Sequence, residues 1–141
     1  MSATTKTLQQ LLDELPNTTM TGSCHCGAVK FKLQHPGLER HPTCQVPASN
    51  CNCSICLKNG YLTIHPNRED IEWLSGWDEM KNYRFGSKSR DHKFCGTCGS
   101  SACIDFLGLW HVGDVIGINV RLLDGVDVDN LNLRKRNGKE D

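Results

Sequence analysis

The feature that most limits how this chain can fold is the distribution of its nine cysteines. Seven fall into three clusters: Cys24-x-Cys26, Cys51-x-Cys53-x-x-Cys56 and Cys95-x-x-Cys98. Cys44 and Cys103 stand apart. The opening Met-Ser-Ala-Thr-Thr-Lys lacks the apolar core of a secretory signal, so the expectation is a soluble intracellular protein, cytoplasmic with the nucleus also compatible. Disulfides rarely persist there, and clustered cysteines instead bind metal or do redox chemistry. A structural zinc takes four protein ligands in a closed tetrahedron. A catalytic zinc takes three and keeps one position open. Two pairs and one triplet therefore sort into a quartet and a trio, two zinc ions per chain.

The pairs combine with each other. Cys95-Gly-Thr-Cys98-Gly99 has the form of a zinc knuckle, in which glycines let the backbone turn while both sulfurs point inward. Such a knuckle needs a second pair, and Cys24-x-Cys26 supplies it. In an extended segment, side chains two apart share a face, so both sulfurs reach one ion and His25 points away. Cys24 and Cys26 have the parity of Ala28 and Lys30, the expected solvent face, and a bulge at Gly27 would reset the phase. The trio Cys51, Cys53 and Cys56 is left with a metal of its own. Its fourth position falls to water, a substrate thiol, or one of Cys44, His41 and His65, and spacing alone leaves these open.

The chain has 141 residues and no net charge, enough for one domain and without the electrostatic footprint of a nucleic-acid partner. No apolar run approaches the roughly 20 residues of a membrane span. Leu8, Leu11, Leu12 and Leu15 form one stripe of a helix over residues 4–15, which Pro16 ends. Val29, Phe31 and Leu33 alternate with Lys30, Lys32 and Gln34, a strand with one buried face. Further strands are expected at 61–66, at 71–76, as a pair within 80–94 turning at Gly86-Ser87, at 101–108 and at 114–123. Residues 36–50 hold three of the five prolines and read as a loop. The polar end Leu133-Arg134-Lys135-Arg136-Asn137-Gly138-Lys139-Glu140-Asp141 reads as frayed. The result is a mainly β domain with an N-terminal helix, small enough to gain from a metal staple.

Three ordered stretches carry a resemblance: "GSCHCGAVKF" at 22–31, "CNCSIC" at 51–56 followed by Gly60, and "HKFCGTCGS" at 92–100. Together with "INVRLLDGVD" at 118–127 they resemble the glutathione-dependent formaldehyde-activating enzyme and centromere protein V family. The resemblance implies a zinc-stapled β-tent of short antiparallel sheets over 21–130, between an N-terminal helical extension at 1–20 and a polar tail at 131–141. It also implies Cys24, Cys26, Cys95 and Cys98 as structural zinc ligands, and Cys51, Cys53 and Cys56 as catalytic ones. The implied activity is a zinc-dependent carbon–sulfur lyase. Its substrate would be a glutathione S-conjugate, with chemistry like that of S-hydroxymethylglutathione. The expected partner is that small-molecule conjugate, with no nucleic acid and no membrane, and a homodimer is compatible. Leu57 and Lys58 stand where family members often carry basic residues, so a carboxylate-binding role there is only half supported.

The chemistry needs a proton donor or acceptor. His92, three residues before Cys95, is the first candidate, with His65, His111 and Asp105 behind it. Arg84, Arg90 and Arg121 are candidates for the carboxylates of the tripeptide. The alternative function is a non-catalytic, zinc-stabilised protein-interaction module. A thiol redox couple at Cys95 and Cys98 lacks its expected βαβ setting. Cys103, in Ala102-Cys103-Ile104, should pack as a small hydrophobe.

Overall fold

The computed structural model describes residues 17–38, 47–86 and 89–138. The helix expected at 4–15 and the candidate ligands Cys44 and His41 lie outside these residues, as does one half of the Gly86-Ser87 turn. Among the described residues no helix is long and apolar enough to cross a membrane.

The chain folds as a mainly β structure of short strands in two sheets. One has three strands, in the order β1 (Asn17–Ser23), β2 (Lys30–Pro36) and β5 (Ile71–Ser75). The other has seven. It runs β10 (Leu133–Arg136), β3 (Ala48–Cys51), β4 (Thr63–Ile64), β9 (Ile116–Asn119), β8 (Ser101–Asp105), β7 (Asp91–Phe94) and β6 (Lys81–Tyr83). Every pairing is antiparallel except that of β10 with β3. Among the described residues one short α-helix, α1 (Ser54–Asn59), leads from β3 toward β4 and ends at Gly60 in the left-handed conformation.

The alternation in β2 works as the side-chain period requires. Phe31, Leu33 and His35 are buried while Lys30, Lys32 and Gln34 are exposed. Phe31 is fully enclosed, and burial of such a side chain contributes on the order of 1.5–3 kcal/mol. It lies over Gly22, its direct partner on β1, where an added Cβ would come within 2.6 Å of the ring. Ile64, Cys103, Ile116 and Ile118 of the larger sheet, and Val120 just past β9, lie in the same buried cluster as Phe31 and Leu33. Cys103 is wholly buried there, a small hydrophobe as its neighbours suggested.

Four elements depart from the sequence-based expectation. β1 begins at Asn17, so a strand occupies the last residues assigned to the helical extension. β3 begins inside the stretch read as a loop and runs one residue beyond it, to Cys51. Its four residues are too few to show a pattern. α1 fully buries none of its side chains, and only Ile55 and Cys56 pack partly, too few to read as an apolar stripe. The tail read as frayed contains β10, whose side chains are all exposed. It is held to β3 through the backbone, with Leu133 opposite Ala48 and Arg136 opposite Cys51.

Candidate functional site

The seven clustered cysteines gather into two groups. Cys24, Cys26, Cys95 and Cys98 have sulfurs all within 4.8 Å of one another, and so do Cys51, Cys53 and Cys56. In the quartet the Cys26 sulfur lies 3.6 Å from those of both Cys24 and Cys95. Four sulfurs held tetrahedrally at zinc–thiolate bond length stand roughly 3.8 Å apart. The donor set and its spacing therefore fit a closed zinc site.

The quartet is built from two turns that belong to different sheets. Cys24 and Cys26 sit in the connection between β1 and β2, not in an extended segment as expected. The Gly27 N–H donates to the Cys24 carbonyl at 3.2 Å, and the Cys24 N–H to the Val29 carbonyl at 3.0 Å. Gly27 has φ +82°, a left-handed value that favours glycine. It closes a turn where a bulge was expected. Cys95 and Cys98 lie in the turn between β7 and β8, an antiparallel hairpin unlike the βαβ setting of a thiol redox couple. Backbone N–H groups point at the sulfurs. Val29 donates to Cys24 at 3.3 Å, and Thr97 and Cys98 donate to Cys95 at 3.4 Å. The Ser100 hydroxyl, 3.2 Å from the Cys98 sulfur, leads the groups that pull that thiol down to about 5. These donors favour the thiolates of Cys95 and Cys98. At Cys26 the Ala28 N–H is outweighed by burial and the neighbouring thiols, which raise it to about 11.

The trio is local. Cys51 ends β3, Cys53 caps α1 and Cys56 lies within the helix. The Cys53 N–H approaches the Cys51 sulfur at 3.5 Å. Cys53 and Cys56 hold their protons unevenly. Burial, reinforced by the neighbouring Cys53 sulfur, pushes Cys56 well up. Cys53 is lowered even though burial opposes it, because the Cys56 N–H and the thiols of Cys56 and Cys51 favour its thiolate. Three sulfur donors on one short stretch fit a zinc with one position left to another ligand.

Beside the trio, the outer face of the larger sheet carries a second apolar cluster. Tyr61, Ile104, Phe106 and Val115 are buried, with Ile55, Cys56 and Trp110 packed against them. A cross-strand row runs Tyr83–His92–Ile104–Gly117 over β6, β7, β8 and β9, and directly paired residues share a face. His92 is buried in this row. Its Nδ1 lies 3.4 Å from the Tyr61 hydroxyl, and Phe85 stacks on its ring at 5.4 Å. Burial, with Arg90 adding, lowers the His92 pKa below the ordinary histidine value. Burial raises that of Tyr61 to about 12. His65 lies against Trp110 and Phe106, at 5.2 and 6.0 Å between ring centres. Burial, helped by the charge of Arg136, lowers it to about 4. Two guanidiniums reach the same wall: Arg90 lies 5.0 Å over Phe106 and Arg136 lies 5.6 Å over Trp110.

Other candidates have structural partners elsewhere. Asp105 is clamped by Arg68, which donates to its Oδ1 at 2.6 Å and its Oδ2 at 3.2 Å. Arg84 is ion-paired with buried Asp91. The Arg121 Nε donates to the Gly60 carbonyl at 2.9 Å and so secures the end of α1. His111 is exposed, edge-on to Trp110. The sequence reading did not single out Tyr61, Phe85, Phe106, Trp110 or Arg136. Tyr61 had a local signal, standing just after the Gly60 that ends α1. Arg136 had none, since it lies in a stretch that reads as solvated.

The family model described as glutathione-dependent formaldehyde-activating enzyme matches residues 19–132. A relative from Halomonas elongata is 31% identical over 90 residues. Its description, provisional in its own wording, is glutathione-dependent formaldehyde-activating enzyme. That alignment covers 58% of this chain and 53% of the relative, so the chain spans about half the relative's length. The crystal structure of a Rhodobacter sphaeroides protein is similar with a TM-score of 0.64 at 28% identity, covering 82% of this chain and 98% of that one. Three ordered cysteine motifs, two converged sulfur groups and a family match over most of the chain lead to one statement: this protein belongs to the glutathione-dependent formaldehyde-activating enzyme family.

Proposed function

We propose that this protein is a zinc-dependent carbon–sulfur lyase that makes or breaks a C–S bond in a glutathione S-conjugate. The observation that carries this reading is the position of the trio. Its Cys56 packs into the same outer-face cluster that holds Tyr61, and Tyr61 in turn reaches His92. Cys51, Cys53 and Cys56 would hold the ion, which when bound supplies a Lewis acid that favours a thiolate and polarises an oxygen. Cys24, Cys26, Cys95 and Cys98 would hold a second ion with a structural role.

The chain's own residues then handle binding and the proton. In the making direction, a thiolate adds to a carbonyl carbon and the oxygen takes a proton. In the breaking direction, the hydroxyl loses that proton, the C–S bond breaks and the sulfur leaves as thiolate. His92 is the group proposed to hold and return the proton. Its lowered pKa keeps it neutral near pH 7, ready to accept. The Tyr61 phenol oxygen can accept from Nδ1–H, which orients the ring and leaves Nε2 free to take the proton. Arg90 and Arg136, against the rings of Phe106 and Trp110, would meet substrate carboxylates in this reading. Arg84 and Arg121 are engaged within the fold.

A second reading, the zinc-stabilised interaction module, is favoured by one feature. The loop after β8 exposes Leu107, Leu109 and Val112, with Leu109 69% accessible. One experiment separates the two readings: turnover of a panel of glutathione conjugates by Cys53→Ser, with metal content measured alongside. Full turnover by that variant on every conjugate would remove the trio from the reaction.

A further inference from the structure

The family model ends at residue 132, yet the chain beyond it returns to the trio. β10 pairs in parallel with β3 and brings Arg136 opposite Cys51. The Asn52 N–H then donates to the Arg136 carbonyl at 3.0 Å. The Asn52 side-chain amide donates to the Asn137 Oδ1 at 2.8 Å. These two bonds set the next residue, Gly138, against the cysteines. A Cβ at Gly138 would lie 2.5 Å from the Cys51 sulfur and 3.0 Å from the Cys53 Cβ. The backbone of Gly138 thus leaves no room for a side chain on the trio side.

We infer that the strap Arg136–Gly138 is a wall of the trio site and that Gly138 is a positioning residue for the Cys51 sulfur. The inference rests on the proposed function only in taking the trio as a metal site. The physical reason lies in what can move. A free cysteine side chain can swing away from an intruding methyl. A sulfur pinned in a coordination sphere cannot, so either the ligand geometry or the strap must yield. Asn137, held by Asn52, keeps the strap in place.

The test uses the full chain loaded with zinc, with transfer of metal to a chromophoric chelator followed in time. Gly138→Ala should release one equivalent about tenfold faster, the scale of outer-shell effects on metal affinity. The second equivalent, held by the quartet, should leave at the parent rate and serves as the internal control for folding. Release of both equivalents at parent rates overturns the inference. A second arm leaves the quartet ion in place. Brief alkylation of the full chain loaded with one equivalent of zinc, read by mass spectrometry, should label Cys51 and Cys53 faster in Asn137→Ala than in the parent. If the parent takes up only one ion, the proposed function falls and this arm decides alone. Faster labelling then upholds the wall, and equal labelling overturns it.

Discussion

The quartet and the trio use the same side chain but different lengths of chain. In the quartet, the sulfurs of Cys26 and Cys95 meet across a separation of 69 residues, and their turns belong to different sheets. The trio spans only the end of β3 and the first turns of α1. A cross-link restrains the unfolded chain more when it closes a longer loop. A metal at the quartet would therefore hold two sheets over one core, while one at the trio would do little for the fold. The surroundings agree. The quartet lies among backbone N–H donors from two turns, and the trio, through Cys56, adjoins the apolar cluster of Tyr61, Phe106 and Trp110.

The sharpest way to break this contrast is Cys95→Ser. A closed thiolate zinc site contributes on the order of 10–16 kcal/mol in small peptides, against a typical domain stability of about 5–15 kcal/mol. The variant should lose its cooperative thermal transition by circular dichroism. A normal melting curve would show that the quartet does not hold the sheets together.

Cys53→Ser tests the other side. It should melt as the parent does and bind one metal equivalent fewer. Its turnover should fall by at least about 100-fold, since Lewis-acid stabilisation is worth several kcal/mol. An unfolded Cys53→Ser would collapse the distinction between the two sites.

His92→Asn sharpens the assignment within the active face. General acid–base catalysis contributes roughly 100- to 10,000-fold, so kcat should drop by that order with the fold retained. In the parent, the acid limb of the pH–rate profile should lie below the usual histidine value of about 6.5, because burial lowers His92. A variant that keeps that limb would point to another base.

Smaller effects belong to the residues that support the two regions. Asp105→Asn weakens the clamp by Arg68. With the arginine partly in solvent, the cost should be about 1–3 kcal/mol in denaturant unfolding, and kcat per folded molecule should hold. His65, lowered to about 4 by burial, gives a signed pH effect. Its unfolded form takes up a proton from about pH 6.5 downward and its folded form only near 4. Its contribution is therefore full above 6.5 and lost as pH falls through that window. His65→Gln should flatten the acid side of the stability curve, measured with both variants saturated in zinc.

How much of this was legible in the residues differs from element to element. β2 was readable because Phe31 and Leu33 alternate with lysines over a buried face. β1 and β10 were not, because their pairing is made by the backbone while most of their side chains face solvent. Asp105, Arg84 and Arg121 looked as available as Arg90. Only their partners Arg68, Asp91 and the Gly60 carbonyl show which of them serve the fold.

The sequence by itself determined the family, the mainly β class and the division of seven cysteines into three motifs, because spacing and alternation are local properties. Tertiary structure alone decided which face of the sheet the trio adjoins. It also made Tyr61 and Arg136 neighbours of that face, and brought Gly138 back against Cys51. Those relations join residues far apart along the chain. They depend on strand order and on close contact between atoms, which no local pattern encodes.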